Sequence, residues 1–149
     1  MPDNTTAAPA RRRSPARTEF LTDILVTAIE HNGAGFCHAL EYRPTDDGTA
    51  YALIVDSEEP DGEQWRVDLD TIATGLGIIR NATLKEFPRG DGTEQAYANK
   101  TTGERLYLDA DLRAQILAAD RTNHEEGDID VTGALAILEC AIFGKVIYA

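Results

Sequence analysis

The stretch that most constrains how this chain can fold is GDIDVTGALAILECAIFG, residues 127–144. Between residues 131 and 143, the polar side chains are those of Thr132 and Glu139 alone. The large apolar side chains recur at helical spacing, at Val131, Leu135, Leu138 and Ile142. A helix that is apolar on nearly every side is buried, because none of its faces favours water. The run therefore predicts a core helix from about Val131 to Phe143, capped at its start by an aspartate.

The same run also matches the pattern of an EF-hand calcium loop, D-x-[DN]-x-[DN]-G-x5-E. The residues in the ligand register are Asp128, Asp130, Thr132 and Glu139. A calcium loop would need the first half of the apolar run to be non-helical, and about one turn of exit helix would remain before Gly144. We therefore expect an ordinary capped helix, with Glu139 outside any metal site and replaceable by alanine at little cost.

Three other segments have helical periodicity. The first carries an apolar stripe after Thr18, its expected N-cap: Phe20, Leu21, Ile24, Leu25, Ala28 and Ile29. The second follows Asp68, also an expected N-cap: Leu69, Ile72, Leu76 and Ile79. The GLG sequence at 75–77 lowers the helix propensity of this second segment, which we interpret as room for a close packing partner. A third helix is expected from Asp109 or Asp111 to about Ala119.

The strand signals cluster in the first half of the chain. FCHALEYR (36–43) alternates, and the residues expected on one face are Phe36, His38, Leu40 and Tyr42. After the turn PTDDG, the run TAYALIVDS (49–57) returns as a second strand, and QWRV (64–67) is a third. Residues 81–107 form a variable excursion of unclear period, with a short strand at ERLYL, and KVIYA closes the chain as another short strand.

Clustered strands without alternating helices are typical of an α+β fold. We therefore expect one small antiparallel sheet of three to four strands packed against about four helices. The length of 149 residues suggests one domain, which we place at residues 18–149. Residues 1–17 are rich in Pro, Ala and Arg and poor in large apolar side chains, so we expect a disordered basic tail.

The charge is uneven along the chain. The whole chain carries −12, with 14 basic and 26 acidic residues. Residues 1–17 hold four arginines and one acid, Asp3, which leaves 10 basic and 25 acidic residues, a balance of −15, in the rest. An acidic body repels phosphate backbones and attracts basic partners. We therefore expect a protein partner, favouring a basic one, and no direct binding of duplex nucleic acid by the body.

Neither a signal sequence nor a membrane span is apparent. No run approaches the roughly 18 apolar residues that a membrane-spanning helix needs. The start, MPDNTTAAPARRRSPARTEF, lacks the apolar region of a secretory signal. We therefore expect a cytoplasmic protein that does not enter the membrane. Its two cysteines, Cys37 and Cys140, are expected to be reduced core thiols, and the sequence leaves a disulfide between them as the alternative.

The residue types that carry most chemistry are sparse. Ser14 and Ser57 lack a nucleophile context, and no phosphate-binding glycine motif is present. His31 is interpreted as a helix end and His38 as a half-buried strand residue, whereas His124 lies in an acidic loop. The acids around it are Asp120, Glu125, Glu126 and Asp128. We predict no catalytic residue, no cofactor site and no metal site, although an enzyme of unrecognised type stays open.

Four segments together resemble a family of small acidic, uncharacterised proteins from actinobacteria, their phages and mobile elements. They are FLTDILVTAIE (20–30), EYR (41–43), WRVDLDTIATGL (65–76) and ILAADRTNHEEGDIDVTGALAILECAIFGKVIYA (116–149). The resemblance covers most of residues 18–149, with 81–107 as its variable part. It implies a bacterial or phage setting and a shared fold. It implies no chemistry, because the family has no established activity to transfer.

The leading hypothesis is a small non-enzymatic accessory or regulatory protein that acts by protein–protein binding. One alternative is an acidic DNA-mimic inhibitor of a nucleic-acid-binding protein. It is weakened because the acids cluster in loops: Asp46-Asp47, Glu58-Glu59-Asp61 and Glu125-Glu126. A second alternative is a divalent-metal-binding protein that uses the acidic segment 120–139. The sequence leaves the oligomeric state open.

Overall fold

A computed structural model describes residues 13–31 and 36–149 of the chain. Within these residues, four helices and two small antiparallel sheets form an α+β fold, which confirms the predicted fold class. The helices are α1 (Pro15–Glu30), α2 (Leu69–Arg80), α3 (Ala110–Thr122) and α4 (Val131–Phe143). The strands are β1 (Cys37–Arg43), β2 (Tyr51–Asp56), β3 (Gln64–Asp68), β4 (Thr83–Arg89) and β5 (Gly92–Ala98).

Helix α4 is the central element of the core, as its composition predicts. Its N-cap is Asp130, whose Oδ1 accepts the backbone N–H of Gly133 at 2.8 Å. The helix ends at Gly144, which has a φ of +78°. The buried residues of α4 are Gly133, Ala134, Ala136, Ile137, Leu138, Glu139 and Cys140. Helices α1 and α2 pack against it, so that the apolar run forms the centre of one continuous core.

Helix α2 approaches α4 closely through a glycine. A Cβ atom added to Gly75 would lie 2.1 Å from the backbone oxygen of Ile137, whereas one added to Gly77 would meet nothing within 4 Å. The expected close packing partner is therefore confirmed for Gly75 and not for Gly77. The predicted cap of α2 is also confirmed, because the Asp68 side chain accepts the backbone N–H of Thr71 at 3.0 Å in a capping box.

Helix α1 starts earlier than predicted. Its N-cap is Ser14, whose Oγ accepts the backbone N–H of Arg17 at 3.1 Å, and Pro15 occupies the first helical position. Ser followed by Pro is a strong helix start, since proline has no backbone N–H to leave unpaired there. The prediction of Thr18 as N-cap is therefore wrong, and so is a tail that extends to residue 17. Residues 1–12 lie outside the described residues.

The larger sheet has the strand order β1-β2-β3, with both pairs antiparallel. The register shifts between Ala39 and Glu41, so Leu40 is bulged out of the β1–β2 pairing. Cys37 is buried and Ala39 half-buried, whereas His38 and Leu40 are exposed. The predicted face is thus wrong for His38 and Leu40, because the bulge lets Cys37, Ala39 and Tyr42 share the inward side.

The excursion at 81–107 is mostly a second, two-stranded sheet. Strands β4 and β5 form a hairpin whose two-residue turn has Gly90 at a φ of +60°. The expected strand at ERLYL is reduced to one bridge between Arg105 and Ala98. KVIYA is not a strand either, although the backbone N–H of Val146 donates to the oxygen of Leu106 at 2.8 Å. The prediction of strands in these two segments is therefore wrong.

The N-cap of helix α3 is Asp109, one of the two predicted caps, and the helix runs beyond the predicted end to Thr122. It stops at Asn123, which has a φ of +51° and is followed by His124 at +79°. In the described part of the chain, none of the helices combines the length and the apolar character that crossing a bilayer requires.

Candidate binding groove beside helix α1

A buried carboxylate holds the end of α3 against two other helices. The side chain of Asp120 is 6% exposed, and its Oδ1 lies 2.6 Å from Nη2 of Arg17 in α1. Its Oδ2 accepts Nε of Arg80, in α2, at 3.1 Å. Arg17 also donates to the backbone oxygen of Asp120 at 2.9 Å and to Oδ1 of Asn123 at 3.0 Å. One guanidinium therefore fixes both the last turn of α3 and the residue that ends it.

The residue after this anchor, His124, is placed in turn against α1. Its backbone N–H donates to the oxygen of Ala119 at 3.1 Å, and its ring meets that of Phe20 edge-on, with 4.5 Å between centroids. Nε2 of His124 is buried and has no hydrogen-bond partner among the described residues. It lies 3.8 Å from Oδ2 of Asp23. The ring is therefore close enough to pair with Asp23 when it is protonated.

A groove of about 500 Å³ opens between α1 and the segment that joins α3 to α4. Its lining residues are Ala16, Glu19, Phe20, Asp23, Val26, Thr27, Asn123, His124, Asp128 and Ile129. We call this the α1 groove. Three of these side chains are carboxylic acids, and none of the described lining residues is Lys or Arg. Val26 and Ile129, both half-buried, supply apolar wall, whereas Phe20 is fully buried behind it.

Among the described residues that line the α1 groove, no Lys or Arg accompanies the three acids. Burial raises the pKa of the Asp23 carboxyl, while nearby His124 opposes that shift and Glu19 adds to it. The Glu19 effect is electrostatic repulsion between like charges on one face of α1. A cationic group that entered the groove would relieve this repulsion and favour the ionised form of Asp23.

The dimensions of the groove suit an extended chain. The lining residues of α1 run from Ala16 to Thr27. At a rise of 1.5 Å per residue, this face is about 16 Å long. An extended peptide advances about 3.3 Å per residue, so roughly five residues could lie along α1.

The structure separates the residues of the EF-hand register. Asp130 caps α4, Thr132 and Glu139 lie within that helix, and Asp128 lines the α1 groove. Residues 131 to 139 are helical and cannot form a calcium loop. Across residues 13–31 and 36–149, no three or more His, Cys, Asp or Glu side chains are arranged to hold a metal ion.

Glu139 is fully buried, whereas the sequence led us to expect that alanine could replace it at little cost in stability. Its Oε1 accepts the backbone N–H groups of Ile147 and Tyr148 at 2.7 and 2.6 Å. Its Oε2 is buried and finds no hydrogen-bond partner in the described structure. Burial raises the pKa of Glu139, and the hydrogen bonds from the backbone of Tyr148, Ile147 and Ala149 oppose that rise. Glu139 therefore holds the C-terminal segment and has a structural role.

The remaining candidates for chemistry have structural positions. Cys37 and Cys140 are free and buried, as predicted. Burial raises the pKa of the two thiols to about 11 and about 12, with a further contribution from Glu139, so both are protonated and unreactive near neutral pH. His31 is the C-cap of α1, as interpreted from the sequence. His38 is exposed on β1, rather than half-buried.

The acidic loops do not form one surface. Asp46 and Asp47 lie in the β1–β2 loop, whereas Glu58, Glu59 and Asp61 lie in the β2–β3 loop. Successive loops of an antiparallel meander lie at opposite ends of its sheet. These two acidic loops are therefore separated by the length of β2, and neither contributes a lining residue to the α1 groove.

The β4–β5 hairpin is a second exposed feature, with a different chemistry. The Arg105 guanidinium lies over the rings of Phe87 and Tyr107, at 5.7 and 5.2 Å from their centroids. Its Nη2 also donates to Glu94 at 2.7 Å. Tyr107 is 64% exposed. Because Arg105 is already paired with a carboxylate and two rings, this surface offers less unbalanced charge than the α1 groove.

No protein-family model matches the chain, and neither a curated protein nor a solved structure shows significant similarity to it. The resemblance to a family of actinobacterial and phage proteins therefore stays an expectation.

Sequence patterns drew attention to the residues on one side of the α1 groove and not to those on the other side. His124 and Asp128 were recognised as parts of an acidic loop. Glu19 and Asp23 were not singled out, although they lie one turn apart on the polar side of α1, four positions from each other. That spacing was the available signal for two neighbouring carboxylates. Their meeting with His124, about a hundred residues later, was not encoded in any local pattern.

Proposed function

We propose that this protein is a small non-enzymatic accessory module that binds a partner protein by receiving a basic, extended segment in the α1 groove. The observation that carries the proposal is the lining of that groove. It combines Glu19, Asp23 and Asp128 with apolar wall, and it has no Lys or Arg among its described residues. A bacterial or phage setting and a cytoplasmic location are part of the same proposal.

The chemistry of the partner follows from that lining. Carboxylates at the groove attract ammonium or guanidinium groups and increase the rate of encounter. The half-buried side chains of Val26 and Ile129 favour aliphatic side chains between the cations. A segment in which basic and aliphatic residues alternate would satisfy both.

The test is a fluorescence anisotropy titration with a labelled, acetylated and amidated peptide of about eight residues in which arginine and leucine alternate. We expect saturable binding that weakens as salt is raised, because exposed charges are screened. The double variant Glu19→Gln/Asp23→Asn should bind roughly tenfold more weakly, as expected for the loss of two charge pairs of modest strength.

The matched control is Glu58→Gln/Glu59→Gln, which removes the same charge from the exposed β2–β3 loop. It should change the affinity by less than about twofold, because the loop lies outside the groove. Equal losses in the two double variants would indicate unspecific attraction to an acidic surface and would contradict the proposal. So would the absence of saturable binding at low salt.

A further inference from the structure

The α1 groove contains one side chain whose charge can change near neutral pH. We infer that His124 makes the groove pH-sensitive, so that a basic partner segment binds more tightly when the imidazole is neutral and is released as it becomes protonated. This inference rests on the proposed function, since it concerns the affinity of the same groove for the same class of partner.

The geometry places His124 in direct competition with a ligand. Its Nε2 lies 3.8 Å from Oδ2 of Asp23, and it has no hydrogen-bond partner among the described residues. A protonated ring would donate toward Asp23 and occupy the carboxylate that a basic segment needs. A neutral ring leaves that carboxylate available.

The backbone at His124 is fixed by its contacts with the end of α3 and with α1. The preceding residue, Asn123, is held by Nη1 of Arg17 at 3.0 Å, and the His124 ring rests edge-on against Phe20. Both residues have positive φ, +51° and +79°. The His124 side chain therefore starts from a backbone position beside the groove, with its ring against Phe20.

The charges around His124 are mostly negative. Charged groups near it on the elements packed against it include Arg17, Glu19 and Asp23 of α1, Asp120 and Arg121 of the last turn of α3, and Glu125, Glu126 and Asp128 of the following segment. Arg17 and Asp120 form an ion pair with each other at 2.6 Å. The acids that remain attract positive charge, so a protonated imidazole and a bound cationic group would compete for one acidic environment.

The sign of the effect follows from linkage. Histidine is the side chain that changes charge between pH 5 and 8. Because a bound cationic segment disfavours the protonated ring, affinity should rise with pH across this range. By the same linkage, the bound segment should make His124 lose its proton at lower pH.

The experiment repeats the peptide titration at pH 5.5 and pH 7.5. The arginine–leucine peptide has blocked ends and no group that titrates between these values. Wild-type protein should bind roughly fivefold more weakly at the lower pH, as expected for one added charge within a few ångströms of the ligand. The variant His124→Asn should lose most of this difference, and asparagine is suitable there because it tolerates a positive φ.

The control variant is His38→Asn, which changes an exposed histidine on β1 outside the groove. It should keep the pH dependence of the wild type. A second measurement follows the His124 ring signals by NMR as the pH is varied, and the midpoint should move to lower pH when the peptide is present.

The outcomes separate the inference from the function on which it rests. Saturable binding with the same pH dependence in wild type and His124→Asn would overturn the inference and leave the proposed function intact. An unchanged NMR midpoint in the presence of bound peptide would overturn it as well. Absence of binding at both pH values would reject the proposed function, and the inference with it.

Discussion

Glu139 shows how a single buried carboxyl can shape both structure and pH response. It lies in an apolar helix, and its Oε1 holds two backbone N–H groups of the C-terminal segment. Replacing it with alanine would remove both hydrogen bonds, each of which contributes about 0.5–1.5 kcal/mol, and would also leave a cavity in the core. Glu139→Ala is therefore expected to destabilise the fold strongly.

The pH dependence of Glu139 has a definite sign. Burial raises its pKa above the ordinary value of 4.5. Its favourable contribution is then fully present below the ordinary pKa and is lost as pH rises through the raised value. Glu139→Gln removes this titration and keeps an oxygen that can accept both N–H groups.

We therefore expect the stability of the wild type, relative to Glu139→Gln, to decrease as pH rises above about 4.5. Urea unfolding of both proteins between pH 5 and pH 8 measures this difference. The exposed variant Glu58→Gln should instead run parallel to the wild type. A constant difference in the free energy of unfolding between wild type and Glu139→Gln across this pH range would contradict a raised pKa for Glu139.

At the residue scale, alanine substitutions at two glycines of α2 are expected to change stability in opposite directions. Gly75→Ala would place a Cβ 2.1 Å from the backbone oxygen of Ile137, which a flexible side chain cannot relieve. Its expected cost is about 1–3 kcal/mol, the range for overpacking a core. Gly77→Ala meets nothing within 4 Å, so it should gain up to about 1 kcal/mol from helix propensity. Urea unfolding should show opposite signs, and stabilisation by both would exclude the close α2–α4 contact.

At the element scale, Asp120 links three helices. It is 6% exposed in its side chain and pairs with Arg17 of α1 and Arg80 of α2, whose side chains are 25% and 50% exposed. Removing the shared carboxylate breaks the ion pairs of both guanidinium groups, although Arg17 keeps its hydrogen bonds to the Asp120 backbone oxygen and to Oδ1 of Asn123. Because the Arg80 side chain is half exposed, the loss in the free energy of unfolding is smaller than for a fully buried ion pair.

We expect Asp120→Asn to cost about 2–4 kcal/mol in the free energy of unfolding. Asp70→Asn is the matched control. It breaks the ion pair between Arg13 and an aspartate that is 64% exposed, and should cost less than about 1 kcal/mol. Chemical denaturation compares the two, and equal losses would show that Asp120 does not hold the helices together.

The position at which α1 begins is connected with the same cluster of Asp120, Arg17 and Arg80. The sequence-based start of α1 at Thr18 separated Arg17 from the domain. The helix instead begins at Pro15, and this places Arg17 within reach of Asp120. An arginine that reads as part of a basic tail is thus a structural residue, because a local cap at Ser14 extends the helix by one turn.

At the scale of the whole molecule, the main core and the β4–β5 hairpin differ in how many buried contacts stabilise them. Helices α1, α2 and α4 share the core with the three-stranded sheet. Strands β4 and β5 contact each other far more than they contact these elements, and most of their side chains are exposed. A segment with few buried apolar contacts opens at lower free energy than the core.

We therefore expect amide hydrogens of β4 and β5 to exchange through openings of lower free energy than those of α4. Native-state hydrogen exchange, followed by NMR at several denaturant concentrations below the unfolding transition, measures the opening free energies of both elements. Amides in β5 that exchange only with global unfolding, as those in the centre of α4 should, would show that the hairpin belongs to the same cooperative unit.

The sequence alone determined the helices whose signals are local. Helix α4 was predicted by its apolar composition and a preceding aspartate, and α2 by its period and by Asp68. Both predictions held because helix hydrogen bonds and caps form within a few residues of one another. The α+β class followed in the same way, from the clustering of strand-like runs.

Only the tertiary structure decided which polar residues meet. Leu84 and Phe87 lie on opposite faces of β4, so the strand had no alternating apolar pattern to recognise. The bulge in β1 turned Leu40 outward, and the course of the C-terminal segment placed two backbone N–H groups on Glu139. His124 meets Asp23 because a buried ion pair brings α3 against α1. Such contacts depend on which faces pack together, and that packing is set by the whole core.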